Sequence, residues 1–434
     1  MAQVAVIAML LVSIGFTALL FTGIPRFLIW AQVGYWSVSY VLRPTILLTV
    51  KPAPSLGDSI ADPRLAFDAY TASLSAVLSI VQLGLIVYLV VLLLTRLIFR
   101  FRSAPTSVPM GMPSNGLIGT LIVSWILGWG ARLAVVAGGD STILDLLEYL
   151  AVAGGFGLLL LSPAKAGRSR ALIAAVAATE VLWGGLSASK TPLMAAALAL
   201  VLRVLLSDHG RKRLRVTFLF CATVVMFPLI QALKIDAQAS SEISRADATY
   251  PLVIQPLLTV ARRFDLLSAA TDAMYIGQGN WLSASEFWSR AYSYFIPTPL
   301  LPGVKTFAGQ AWADEVRSFS IGALGNGVSL ADGFIAEGWA LAGVWGIILE
   351  SIVLVATLFF AAWAVKRSAP ALVALGACLL TYPVLFERGI LGIFTVAGKS
   401  LQAALIIWLI GLLVAEAARR RVSNRAPDRR LAPT

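Results

Sequence analysis

Residues 72–98 read ASLSAVLSIVQLGLIVYLVVLLLTRLI, with no charge before Arg96. The run exceeds the ~20 apolar residues that an α-helix needs to cross ~30 Å of hydrocarbon. Working outward with a window of about 19 residues, comparable runs recur near 4–22, 27–50, 117–137, 143–162, 171–187, 191–206, 216–233, 334–363, 371–386 and 400–418. The reading is an all-α polytopic membrane protein with about eleven transmembrane helices, each near the ~17–25 residues that a span requires.

Composition points the same way. Hydrophobic residues make up 59% and charged residues 13%, with a mean hydropathy of +0.84, against about 45–50% apolar and about 25% charged in soluble domains. A soluble fold could not hide that apolar surface, so residues 1–434 are read as one membrane domain. Val4 to Leu20 lacks a basic leading region and a small-residue cleavage site, which predicts a helix of the mature chain rather than a signal peptide. Cys221 and Cys378 lie inside apolar runs and are expected to act as small hydrophobes. The single histidine, His209, falls in the basic stretch from Ser207 to Arg213.

The net charge of +12 is explained by its distribution. Arg96, Arg100 and Arg102 share one connection, Lys165, Arg168 and Arg170 a second, Arg211, Lys212, Arg213 and Arg215 a third, and Lys366 and Arg367 a fourth; Arg419, Arg420 and Arg421 follow the last run. With eleven spans all these clusters share one side, which the positive-inside rule makes the cytoplasm. The amino terminus is then outside and the carboxyl terminus inside, and no nucleic-acid partner is expected. His209 is cytoplasmic in this topology, which removes most histidine and metal chemistry from the outer face.

One outer connection, 234–332, is far longer than the rest, and long loops are usually functional. Two amphipathic helices are expected in it. The first starts at Thr249-Tyr250-Pro251, carries Val253, Leu257, Val260, Phe264 and Leu267 on one stripe, and ends at Gly277 and Gly279. Arg263 falls at the edge of that stripe, while Arg262 and Asp265 share the polar face and can pair. The second starts at a Ser283-Ala284-Ser285-Glu286 capping box, carries Trp288, Ala291, Tyr292 and Phe295 on one side, and stops at Pro297, Pro299 and Pro302. Both suit the membrane surface, with aromatic rings at headgroup depth; simple capping of the bundle is the alternative.

Charged residues within spans are costly unless paired or wetted. They are Arg43, Arg132, Glu148, Glu180, Glu350, Glu387 and Arg388. Arg132 and Glu148 are read as a structural ion pair; Glu180 and Glu350 either relay protons or bind a neighbouring hydroxyl. On the outer side Lys190, Arg262, Arg263, Arg290, Lys305, Arg317 and Arg388 form the set that an anionic headgroup would need. Asp272, Asp332 and Glu337 are carboxylates on that side, Glu337 preceding the helix that runs through Gly343-Val344-Trp345-Gly346.

Ser189-Lys190 ahead of an apolar helix, Tyr294-Phe295-Ile296-Pro297 followed by Lys305, and Glu337 before Gly343-Val344-Trp345-Gly346 together resemble the bacterial O-antigen and exopolysaccharide repeat-unit polymerases. The resemblance covers about Lys190 to Gly346, and the hydropathy profile accompanies it elsewhere. It departs at Thr298 and Thr306, where many members carry arginine and proline, and this leaves the roles of Pro297 and Lys305 open. The resemblance implies a glycosyltransferase of the bacterial cytoplasmic (inner) membrane that joins polyprenyl-diphosphate-linked glycans on its outer face. Glu337 would be the better candidate for the catalytic base, with Asp332 its rival, and Lys190, Arg262, Arg263, Arg290, Lys305, Arg317 and Arg388 would bind the diphosphate. It implies no cofactor or metal, and a flippase and a chain-length regulator as partners. An O-antigen ligase would be expected to bring a histidine to the outer face. A secondary transporter or flippase would couple through Glu180 and Glu350, but no internal repeat of the transporter kind is visible.

Overall fold

The computed structural model describes residues 1–50, 55–56, 60–61, 64, 67–100, 115–139, 141–162, 167–187, 191–206, 214–219, 251, 266–301, 305–321, 329–381 and 384–424. Helix α1 is Ala2–Ala18, and α2, Ile24–Ser37, passes through a π-helical turn, Val38–Leu42, into α3, Arg43–Thr49. A two-residue antiparallel ladder pairs Ser55–Leu56 with Ile60–Ala61. Then come α4 (Phe67–Arg100), α5 (Asn115–Val136), α6 (Thr142–Leu161), α7 (Gly167–Leu186) and α8 (Thr191–Leu206). Beyond them lie α9 (Leu266–Ile276), α10 (Ala284–Phe295), α11 (Phe334–Ala342), α12 (Val344–Ala364), α13 (Pro370–Leu379) and α14 (Ile390–Asn424). Between α10 and α11 the helical pieces Ala308–Ala311, Trp312–Arg317 (π-helical) and Ser318–Ile321 run end to end.

Among the described residues six helices are long and apolar enough to cross a bilayer: Ser73–Ile98, Asn115–Val136, Thr142–Leu161, Ser169–Leu186, Val344–Ala364 and Ile390–Arg420. Their outward rows are apolar, as with Ile86, Val90, Leu93 and Leu97 on α4 and Leu405, Trp408, Leu409 and Leu412 on α14. Exposed apolar rows on this scale mark a surface meant for lipid. The protein is a multi-pass helical membrane protein.

Three expected runs differ in detail. The run 334–363 is two helices, because Gly343 has φ +60 and ψ −132, a conformation open to glycine alone. The chain folds back there so tightly that a Cβ on Gly338 would lie 2.7 Å from the Ile347 nitrogen. The run 371–386 is helical only to Leu379, and the run 400–418 begins earlier, at Ile390. The helices expected at 216–233 and from Thr249 fall mostly or wholly outside the described residues, as do Cys221 and His209. Of those two regions 216–219, Pro251 and 266–279 are described, and 216–219 and 266–276 are helical. Cys378 is buried in an apolar cluster, as expected.

Backbones approach closely where small residues meet, the usual device when lipid supplies no hydrophobic drive between helices. On α5 and α6 a Cβ on Gly128 would lie 2.0 Å from the Ala151 nitrogen, and one on Gly154 2.8 Å from the Leu121 carbonyl. Helix α1 presents Val4, Ile7, Leu11 and Ile14 to the core, where it packs on α2 and α4.

Candidate functional site

The capping box read at Ser283 forms. Ser283 Oγ accepts from the Glu286 amide while the Glu286 carboxylate accepts from the Ser283 amide at 2.9 Å. The Ser283 hydroxyl also donates to the Glu286 carboxylate at 2.6 Å, and this bond first and the Ser283 amide second hold that carboxyl below the usual carboxylate range. Helix α10 stops at Phe295 before Pro297, burying Phe287, Ala291 and Tyr294 and exposing Trp288 and Tyr292.

The sequence places Asp332 and Glu337 around the start of α11, and Gly333, with φ +65, makes the entry turn. The Gly333 amide donates to the Glu387 carbonyl at 2.8 Å, joining this turn to the segment that precedes α14. That segment is fixed from α2 and α4. Gln32 Nε2 donates to the Leu385 carbonyl at 2.7 Å, and Tyr88 donates to Gln32 Oε1 at 2.6 Å. Trp36 Nε1 donates to the Phe386 carbonyl at 3.3 Å, and Tyr35 to Glu387 Oε1 at 2.7 Å.

Glu337 is wholly buried. It stands in the first turn of its own helix, but its hydrogen bond goes elsewhere: Oε1 accepts the Leu391 amide at 2.8 Å, in the first turn of α14. It therefore satisfies an unpaired donor at the positive end of another helix. Glu350 of α12 and Asp332 are its carboxyl neighbours. Asp332 Oδ1 accepts the Gly333 amide at 3.2 Å; among the described residues Asp332 Oδ2 and Glu337 Oε2 have no donor other than a proton shared between the carboxyls, and Glu350 faces the Ile390 amide. Carboxyls in contact can be mutually satisfied only by sharing protons, since an ionised carboxylate is an acceptor alone.

Arg388 brings positive charge to this group. Its Nη1 donates to the Leu330 carbonyl at 3.0 Å and stands 3.9 Å from Asp332 Oδ1. Its side chain is 22% exposed, whereas Asp332 shows nothing to solvent.

A cleft of about 50 Å³ opens beside this cluster, lined by Thr142, Asp145, Tyr149, Tyr294, Pro297, Thr298, Lys305, Phe307, Thr395, Lys399 and Gln402. Tyr294 belongs to both places. Its hydroxyl donates to the Thr306 carbonyl at 3.1 Å. Burial pushes its phenol up to about 12, with the Glu337 and Asp332 charges adding to the rise. Lys305 donates to the Ile296 carbonyl, and burial together with the adjacent Lys399 pulls it below the usual lysine range.

Of the seven expected cations, the four that the structure describes do not converge on one point. Lys190, Arg262 and Arg263 lie outside the described residues. Arg290 makes a bidentate pair with Glu315 at 3.0 and 2.9 Å, Trp281 Nε1 donating to the same carboxylate. Arg317 is buried against Asp272, which it meets at 2.7 Å through Nε and 2.6 Å through Nη2. Asp272 also accepts from Arg64 at 2.6 Å and Trp312 at 3.0 Å, and this makes the group a structural clamp. Lys305 and Arg388 remain, at the cleft and at the carboxyl cluster.

The pairing expected for Arg132 with Glu148 is present, and a second carboxylate joins it. Glu180 holds it at 2.8 Å, Glu148 stands at 3.7 Å, and Trp129 and Trp183 cover the guanidinium at 5.2 and 4.9 Å. Glu180 is thus tied into an ion pair. Sequence reasoning missed Lys399, Gln32 and Tyr35. Lys399 was within reach, because the apolar stretch from Ile390 to Gly398 continues the last run toward its amino end.

The fold and this site define a multi-pass membrane protein with a buried carboxyl cluster adjoining a cationic cleft. Compared with family models, with curated proteins and with solved structures, the chain has no match.

Proposed function

We propose that the protein polymerises polyprenyl-diphosphate-linked oligosaccharide repeat units by glycosyl transfer at the outer face of the bacterial cytoplasmic membrane. The eleven-span topology with its long outer loop belongs to the same reading. The observation that carries it is Asp332 Oδ2, buried and without a backbone or cationic donor among the described residues, while Oδ1 of the same carboxyl lies 3.9 Å from the partly exposed Arg388.

In the reaction an acceptor sugar hydroxyl attacks the anomeric carbon of the donor glycan. The bond from that carbon to the diphosphate oxygen breaks, and its electron pair leaves with the polyprenyl diphosphate. A carboxylate takes the acceptor proton, and cations balance the departing charge. Asp332 is the better base of the two carboxylates, because Glu337 already binds the α14 amide. Glu337 is then a positioning residue. Arg388, partly exposed, is the member through which an acceptor approaches the cluster.

A transporter is the second reading, favoured by the contact of Glu350 with Glu337; Glu350 would then carry a coupling proton. The test uses purified, folded protein supplied with lipid-linked repeat units. Asp332→Asn should slow chain growth by about 10²–10⁴, the usual contribution of a placed general base, and Glu337→Gln should slow it less. Wild-type turnover in Asp332→Asn would remove Asp332 as the base, and no chain growth by the wild-type protein on any lipid-linked glycan would remove the reading.

A further inference from the structure

The Lys305 and Lys399 ammonium groups are close enough to repel each other. Among the described residues no carboxylate oxygen lies within ion-pair distance of either. Asp145, on the wall of the same cleft, and Glu148 attract Lys399 from further away. The flat face of Phe307 covers Lys399, its Nζ 4.5 Å from the ring centre, and holds the ammonium toward the cleft without neutralising it.

The other polar groups divide clearly. Tyr294 donates to the Thr306 carbonyl, Thr395 to the Leu391 carbonyl at 2.8 Å, and Gln402 to the Phe295 carbonyl at 3.2 Å. Thr142 and Thr298 also line the space. Thr142 is the first residue of the 20-residue helix α6, whose amino end carries partial positive charge. Asp145 and Glu148 offset Lys399 only from a distance, and Lys305 meets only the Ile296 carbonyl, so among the described residues the two ammonium groups and a helix amino end face the cleft with no carboxylate oxygen at ion-pair distance. Two half-buried lysines are costly to hold together unless an anion arrives to bind both.

We propose that the cleft between α6, α10 and α14 is an anion site for a diphosphate group, bridged by Lys305 and Lys399. The assignment of that diphosphate to a polyprenyl lipid rests on the glycosyl-transfer reading, which it deepens by naming the seat of the leaving group. The position suits that role. Tyr294 forms a wall of the cleft and is also within electrostatic reach of Asp332 and Glu337, so a diphosphate there lies one side chain from the base. Lysine is suited to the task, since its three donors rotate freely to meet phosphate oxygens as a point charge.

The test is a binding titration of full-length protein in micelles with inorganic pyrophosphate, farnesyl diphosphate and, as the uncharged control, farnesol. Pyrophosphate or farnesyl diphosphate should bind, and Lys305→Met and Lys399→Met should each weaken that binding about tenfold or more, the loss expected for a hydrogen-bonded charge. Lys399→Arg should retain it, and unchanged thermal unfolding should certify each variant as folded. Equal affinity for the two diphosphates supports recognition of the anion itself; binding of farnesyl diphosphate alone supports a lipid-borne source. Failure of both to bind the wild-type protein overturns the proposal, as does unaltered binding in the folded methionine variants. Binding that depends on both lysines without any glycan transfer would sink the glycosyl-transfer reading alone. Glycan transfer that is indifferent to both methionine substitutions would sink the anion site alone.

Discussion

Gly389 precedes α14, and an added Cβ there would stand 2.4 Å from Glu337 Oε2, 2.5 Å from its Cδ and 2.7 Å from its own Cβ. None of these separations is tolerable, so Gly389→Ala must drive the Glu337 side chain from its seat. Overpacking a filled interior costs typically about 1–3 kcal/mol. Displacing the carboxylate also breaks its 2.8 Å bond from the Leu391 amide, and a hydrogen bond to a charged group is worth about 1.5–3 kcal/mol. The expected destabilisation is therefore about 2.5–6 kcal/mol, although the same substitution at an open site would be mildly stabilising. Denaturant titration in mixed micelles, followed by tryptophan fluorescence, measures it. Glu337→Ala supplies the control, because removing the side chain opens the volume that the new methyl needs. In that background Gly389→Ala should cost less than about 1 kcal/mol, a coupling of at least ~1.5 kcal/mol between the two positions. If the two effects add to within about 0.5 kcal/mol, the steric argument at Glu337 is wrong.

Asp272→Asn should destabilise by about 3–5 kcal/mol, because it leaves Arg64 and Arg317 buried without their counter-charge; the same titration reads it. Glu315→Gln, at a pair whose members are 26% and 37% exposed, should cost only ~0–1 kcal/mol, and a larger loss there would overturn the ranking of the two networks. The Glu286 carboxyl titrates lower folded than unfolded, so its contribution to α10 is complete above the ordinary carboxylate value. It is lost as pH falls through the lowered one. Hydrogen exchange across 284–288, corrected for intrinsic rates, should show α10 loosening in acid, and Ser283→Ala should weaken that dependence, leaving only the part that the backbone amide carries.

Local signals were legible in the sequence, and long-range partners were not. The capping box at Ser283 and the stop before Pro297 are written within a few residues, so α10 was readable to its ends. Helix α4 was readable because length and apolarity alone define a span. The break at Gly343 was not, since the apolar run continues through it and only the positive φ marks the turn. Arg132 was matched with Glu148 on the following helix, yet Glu180, 48 positions along the chain, lies closer. Lys399 was lost with the start of its helix, whose first turns carry Gly392 and Gly398. Those glycines serve contact: a Cβ on Gly398 would lie 2.2 Å from the Tyr294 carbonyl oxygen. Periodicity tells which face of a helix is buried and nothing about which distant backbone amide a carboxylate will meet.

The distribution of compensated and uncompensated charge separates scaffold from site. Asp272 has four donor atoms around its two oxygens, Glu180 has Arg132, and Glu315 has Arg290; packing and stability account for each. Stability does not account for Asp332 Oδ2, buried without a backbone or cationic donor among the described residues, nor for Lys305 and Lys399, neighbours in one cleft with no carboxylate oxygen at ion-pair distance among the described residues. Each arrangement costs free energy that a well-packed apolar substitute would avoid. Were they scattered, each would be an isolated fault. They meet instead around Tyr294, an acidic cluster on one side and a basic cleft on the other. A substrate bringing a hydroxyl proton to the first and a negative leaving group to the second would satisfy both at once, and binding is then the event that completes the electrostatics of the fold.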